Sequence, residues 1–71
     1  MNIIGTIDKK GFGPGTWAIV AEDGTTYELK DPAAELKQKG IKVAVVGRIR
    51  EDVMTRTMIG AVLEVESYQL L

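Results

Sequence analysis

The sequence predicts an all-β domain in which five short strands coil into a closed barrel, with one short helix between the third and fourth. Three observations carry that prediction. Glycine is frequent and proline rare, at eight and two of 71 residues, so turn signals interrupt the chain at strand-sized intervals. The runs between those signals are rich in β-branched residues. Three of them share a local pattern of two large apolar residues, glycine, any residue and a β-branched one: Ile3-Ile4-Gly5-Thr6-Ile7, Val45-Val46-Gly47-Arg48-Ile49 and Met58-Ile59-Gly60-Ala61-Val62. Their unequal spacing rules out a repeat. Glycine inside a strand marks a bulge, a bend or a close approach of another backbone, and bent strands are what a small sheet needs in order to close.

Each element follows from its residues. Met1 to Asp8 is an apolar, β-branched first strand, ended by Lys10-Gly11-Phe12-Gly13-Pro14-Gly15, which no regular element tolerates. Trp17 to Ala21 and Thr26 to Leu29 form a hairpin around Glu22-Asp23-Gly24-Thr25, because Asp-Gly readily supplies the positive φ angles of a tight turn. Asp31-Pro32 then reads as a helix cap and first helical residue. Strong helix formers follow to Lys39, and Gly40 is the stop, which gives about two turns with Ala33 and Leu36 inward. Lys42 to Arg50 is a fourth strand, with Val43, Val45 and Ile49 on one face and Ala44, Val46, Arg48 and Arg50 on the other. A connection through Glu51 to Thr57 leads to a last strand from Met58 or Ile59 to Tyr68, with Ile59, Ala61, Leu63 and Val65 sharing a face opposite Glu64 and Glu66.

Composition narrows the chemistry. Without cysteine there is no disulfide framework, thiolate metal site or cysteine nucleophile, and without histidine no imidazole ligand or base. Ser67 and the threonines therefore have nothing to activate them, and no constellation of base, nucleophile and oxyanion donor is visible, so an enzyme is not expected. No cofactor is called for. The glycine-rich loop lacks the Lys-Ser/Thr of a phosphate-binding P-loop and leads into a strand. Glu22-Asp23 and Glu51-Asp52 read as turn residues and Glu64/Glu66 as a solvated strand face, so no metal site is expected. No apolar run reaches the roughly 18–20 residues of a membrane span, and Met1-Asn2-Ile3-Ile4-Gly5 has no signal-peptide pattern, so the expectation is a single cytoplasmic domain.

The pieces Gly5-Thr6-Ile7, Trp17-Ala18-Ile19, Asp23-Gly24-Thr25-Thr26-Tyr27-Glu28-Leu29, Gly40 to Gly47 and Gly60 to Val65 together resemble the oligonucleotide/oligosaccharide-binding (OB) fold, a five-stranded Greek-key barrel. The phrasing is similar to small prokaryotic single-domain OB proteins, which include cytoplasmic nucleic-acid binders and an exported group. No single piece is a specific motif; order and spacing carry the resemblance over the whole chain. The resemblance implies a ligand lying across strands two and three, gripped by the loops joining strands one to two and four to five. Those loops hold Lys9, Lys10 and Phe12 on one side and Thr55, Arg56 and Thr57 on the other.

Candidate residues for nucleic-acid binding are therefore Lys9, Lys10, Phe12, Trp17, Arg48, Arg50 and Arg56. Phe12 between glycines suits base stacking, or folds back on the barrel end. Trp17 and Tyr27 share parity with Ile19 and Leu29, which favours burial over a ligand platform. Lys37 to Arg50 holds five of the nine basic residues and no acid, either as a solvated face or, for Arg48 and Arg50 projecting together, as a phosphate contact. A net charge of −1 and a pI of about 5.3 predict weak, salt-sensitive binding. The expected function is a non-enzymatic module that binds single-stranded DNA or RNA with little sequence preference. The alternative is a domain that docks a protein partner or a second copy through Val53-Met54, Met58 or the tail Tyr68-Gln69-Leu70-Leu71.

Overall fold

A computed structural model describes residues 1–11, 13–53 and 59–71. The strands are β1 (Asn2–Lys10), β2 (Thr16–Ala21), β3 (Thr26–Lys30), β4 (Lys42–Ile49) and β5 (Ala61–Leu70), with a 3-10 turn over Ala34–Leu36. Their order is β1-β2-β3-β5-β4, closed by pairing of β4 with β1. Every pair is antiparallel except β3 with β5. This closed five-stranded barrel is compatible with an OB-type barrel.

The strand glycines are where the barrel closes. Gly5 pairs with Ala21 of β2 and with Val43 of β4, so β1 changes neighbours across it, and a Cβ there would collide with the Val20 carbonyl oxygen. Gly47 sits at a register shift: Val46 pairs with Ser67 but Gly47 with Val65, leaving Glu66 as the extra residue of a bulge on β5. A Cβ on Gly47 would strike the Glu64 carbonyl oxygen. Only a residue without a side chain lets the two backbones approach this closely. The β2–β3 turn forms as the Asp-Gly signal predicts, with Gly24 at φ +92° and the Asp23 carboxylate accepting from the Thr25 N–H at 2.9 Å.

Ile3, Ile7, Ile19, Leu29, Val43, Val45 and Leu63 fill the barrel, and Leu36, fully buried, plugs one end. Burying one such leucine contributes about 2 kcal/mol. Trp17 and Tyr27 pack half-buried against this core, as their parity predicts.

Three details depart from the sequence reading. The predicted two-turn helix is a single 3-10 turn. Asp31 does not cap it, having φ +46°, and Ala33 at the cap position is extended with no side-chain bond. Isolated helices this short are marginal, and here the chain must rejoin β1 at once: Gly40 N–H donates to the Ile7 carbonyl (2.8 Å) and Ile7 N–H to the Ile41 carbonyl (2.9 Å). Strand β1 runs on to Lys10, so Lys9 and Lys10 belong to a strand end rather than to a loop. In β5, Ala61 is exposed whereas Val62 and Leu63 are both buried, so the expected alternation fails at its start. There β5 lies beside β3 in parallel and buries side chains on both faces, as parallel pairing commonly does.

Candidate functional site

A cleft of about 490 Å³ opens over β2 and β3. Its walls come from the end of β1 (Lys9), the start of β2 (Gly15 to Trp17), the end of β3 with the segment after it (Lys30 to Pro32), Lys37 behind the 3-10 turn, and Val53 after β4. Glu28, Leu29 and Val62 complete the lining. Ala18, Glu28 and Val62 stand side by side in register on the face opposite Ile19. All three are buried, Glu28 at 5% exposure, so this row forms a recessed floor.

Lys9 pairs with Trp17 across β1 and β2, and its Nζ lies 4.9 Å from the centre of the indole ring. That cation–π contact contributes about 0.5–1 kcal/mol at an exposed position and keeps the ammonium at the cleft. Lys30 lies 3.2 Å from the Asp31 carboxylate. Among the described residues, Lys9 and Lys37 make no ion pair. The cleft thus combines three ammonium groups, one indole, the buried Glu28 carboxylate and the exposed Asp31 carboxylate beside Lys30.

The other predicted residues lie elsewhere. Lys10 reaches back to Asp8 at 3.6 Å, and Lys39 approaches the same carboxylate at 3.9 Å. The Lys9 backbone N–H donates to Asp8 as well (2.7 Å); that bond first, and the two ammonium charges after it, hold the carboxyl below its ordinary range. Arg50 donates twice to Asp52, at 2.9 and 2.8 Å, and once to Glu64 at 2.9 Å. Arg48 donates to the other Glu64 oxygen at 3.1 Å. The bond from Arg50 holds Asp52 at about 2, and that from Arg48 lowers Glu64. Glu64 is therefore half of a buttress and not a solvated face. Phe12, Thr55, Arg56 and Thr57 lie outside the described residues.

The sequence alone does not single out Lys30 or Glu28, and it presents Lys37 only as part of a basic stretch. A strand ending Tyr-Glu-Leu-Lys looks like ordinary alternation; the signal that exposes Lys30 is its position two residues beyond Glu28 on the same face, at the mouth that β1 and β2 also reach.

A second groove of about 380 Å³ crosses β1, β4 and the end of β5, lined by Ile4, Ala44, Val46 and Tyr68 among others. Ile4 and Val46 are 44% and 41% exposed there. Of the segments expected to dock a partner, Leu70 and Leu71 are exposed, Tyr68 is half-buried and Val53 lines the first cleft, whereas Met54 and Met58 lie outside the described residues. Among the described residues, no helix is long and apolar enough to cross a membrane.

The chain matches no protein family, no curated protein and no solved structure. What is defined is a class: a small closed five-stranded barrel with a lysine-rimmed cleft over its second and third strands.

Proposed function

We propose that this protein is a cytoplasmic, non-enzymatic barrel of the OB type that binds single-stranded nucleic acid weakly, in the cleft over β2 and β3. The observation that carries this reading is the convergence of Lys9, Lys30 and Lys37 on one cleft that also holds the only tryptophan. Ammonium groups attract backbone phosphate irrespective of sequence, and an indole offers a face to any base. Lys9 covers Trp17 in the free protein, so phosphate drawing Lys9 away would bare the ring for stacking. The near-neutral charge of the chain limits affinity.

The test is titration of Trp17 fluorescence with oligo-dT at two salt concentrations. Three phosphate contacts to a single strand give a log–log salt slope of about −2, so raising salt from about 50 to 200 mM weakens binding roughly 15- to 20-fold. Fluorescence that does not move at low salt overturns the reading. A second reading rests on the exposed Ile4 and Val46 in the other groove: apolar docking of a protein or second copy, which salt leaves almost unchanged. Sedimentation that is concentration-dependent in the native chain and monomeric in Ile4→Glu would support it.

A further inference from the structure

We propose that the cleft holds a short single-stranded stretch of about four nucleotides, the lower end of what single barrels of this type cover, and that the rest of the barrel adds no track for a longer strand. This rests on the nucleic-acid reading above and adds the length of the ligand to it. The least length follows from where the lysines stand. Lys9 on β1 and Lys30 on β3 flank β2, so their backbones lie two strand spacings apart, about 10 Å. A chain that meets both crosses β2, where Trp17 lies between them. Lys37, behind the 3-10 turn, is the third contact. Three ammonium groups take three successive phosphates, which a stretch of about four nucleotides supplies.

The greatest length follows from the charges outside the cleft. Among the described residues, the two lysines that have no acidic partner, Lys9 and Lys37, both line it. Lys30 has the exposed Asp31 beside it at 3.2 Å, and gives it up to a phosphate that the other two have already drawn in. Every other described lysine or arginine stands by a carboxylate. Lys10 and Lys39 share Asp8, Lys42 faces Glu22 at 3.7 Å, and Arg48 and Arg50 face Glu64 and Asp52. A phosphate arriving at any of these exchanges one anion for another, so the net attraction is small. The second groove, over β1, β4 and the end of β5, has no lysine or arginine in its lining. A strand leaving the cleft therefore meets neutralised charge or none. The cleft volume, about 490 Å³, lies in the range of discrete small-ligand sites and agrees with such a footprint.

The experiment compares a dT tetranucleotide with a dT hexadecanucleotide by Trp17 fluorescence at about 50 and 200 mM salt, and follows backbone amides by ¹⁵N-HSQC with the longer strand. The longer strand should bind about thirteenfold tighter, the number of registers that a four-nucleotide site finds on it. Both should give a log–log salt slope of about −2, equal to within one phosphate contact, about 0.7. Amide shifts should gather around Lys9, Trp17, Lys30 and Lys37 and leave Lys42, Arg48 and Arg50 in place. No variant is needed, so the result does not depend on a substitution that folds. A slope for the longer strand steeper by more than one contact, or movement of the Lys42, Arg48 or Arg50 amides, overturns the short footprint while leaving nucleic-acid binding intact. Fluorescence that moves with neither strand at low salt overturns both.

Discussion

Two flanks of the barrel carry clusters of positive charge, and they differ in what holds that charge. On the β4–β5 flank, Arg48 and Arg50 face Glu64 and Asp52 in a four-member network whose charges cancel. At the cleft, Lys9 rests on an indole, and among the described residues neither it nor Lys37 has an acidic partner. A phosphate approaching Arg50 must displace two bonds from one carboxylate, and charge-assisted bidentate pairs are among the stronger polar contacts. A phosphate approaching Lys9 displaces a cation–π contact of about 0.5–1 kcal/mol. Charge that a sequence displays is therefore not the charge a ligand finds; the register of neighbouring strands decides.

The comparison breaks most completely at Gly47, whose close approach to β5 fixes the register that brings Arg48 opposite Glu64. Gly47→Val should cost about 3 kcal/mol, because the obstructing atom is backbone and cannot swing aside. Gly13→Val meets no atom within 4 Å and pays only for its φ of +61°, about 1–2 kcal/mol. Equal shifts of the urea midpoint would show that the seam tolerates a side chain. Next in size are the ligand contacts: Lys9→Gln and Lys37→Gln should each weaken oligo-dT binding about fivefold at low salt and flatten the salt slope by about 0.7. Arg48→Gln should stay within about twofold, a phosphate-free position having little to lose. Comparable losses for all three would erase the distinction between the flanks.

Smaller again is a pH effect confined to the network. Asp52 titrates at about 2 in the fold against an ordinary 3.8, so the Arg50 contact stabilises above the ordinary value and is lost as pH falls through the folded one. Between about pH 4 and 2 the urea midpoint should fall less steeply in Asp52→Asn than in the native chain; superimposable curves would mean that the pair does not persist in solution. The smallest effect lies between β5 and the 3-10 turn. Tyr68 on β5 donates to Glu35 within the 3-10 turn at 2.7 Å, which raises the phenol's titration because the neutral form makes the bond. Glu35→Gln should move the Tyr68 titration back down, as followed by ¹³C-tyrosine NMR, and an unmoved curve would detach the turn from β5.

The ease of reading this molecule from its sequence varies with how local each determinant is. Gly5, Gly47 and the Asp23-Gly24 turn are legible because an interrupted β-branched run has few explanations, and the five strands in order follow from them. The segment after Asp31 misleads: each helix signal is real, but Gly40 and Ile41 are claimed by Ile7, a partner 33 residues or more away in sequence. The cleft is less legible still. Lys9 and Trp17 are each candidates in the sequence, one assigned to a loop and one to a strand, but the register of β1 against β2 brings them together, and Lys30 and Lys37 join them only through closure of the barrel. Arg48 and Arg50 meet Glu64 only because β4 and β5 pair around a bulge whose extra residue, Glu66, nothing in the β5 sequence marks.

The parallel pairing of β3 with β5 has a further consequence, in time rather than in space. Leu29 and Leu63 stand opposite each other although 34 positions separate them, and the chain between must first cross the barrel as β4. Such long loops are closed against chain entropy before their contacts repay it, so barrels of this kind fold in milliseconds to seconds rather than microseconds. During synthesis the β1–β2–β3 meander emerges first, already bearing Lys9, Trp17 and Lys30, yet the floor of the cleft lacks Val62 until β5 arrives. The cleft is therefore completed only when β5 is in place, late in the folding of the chain.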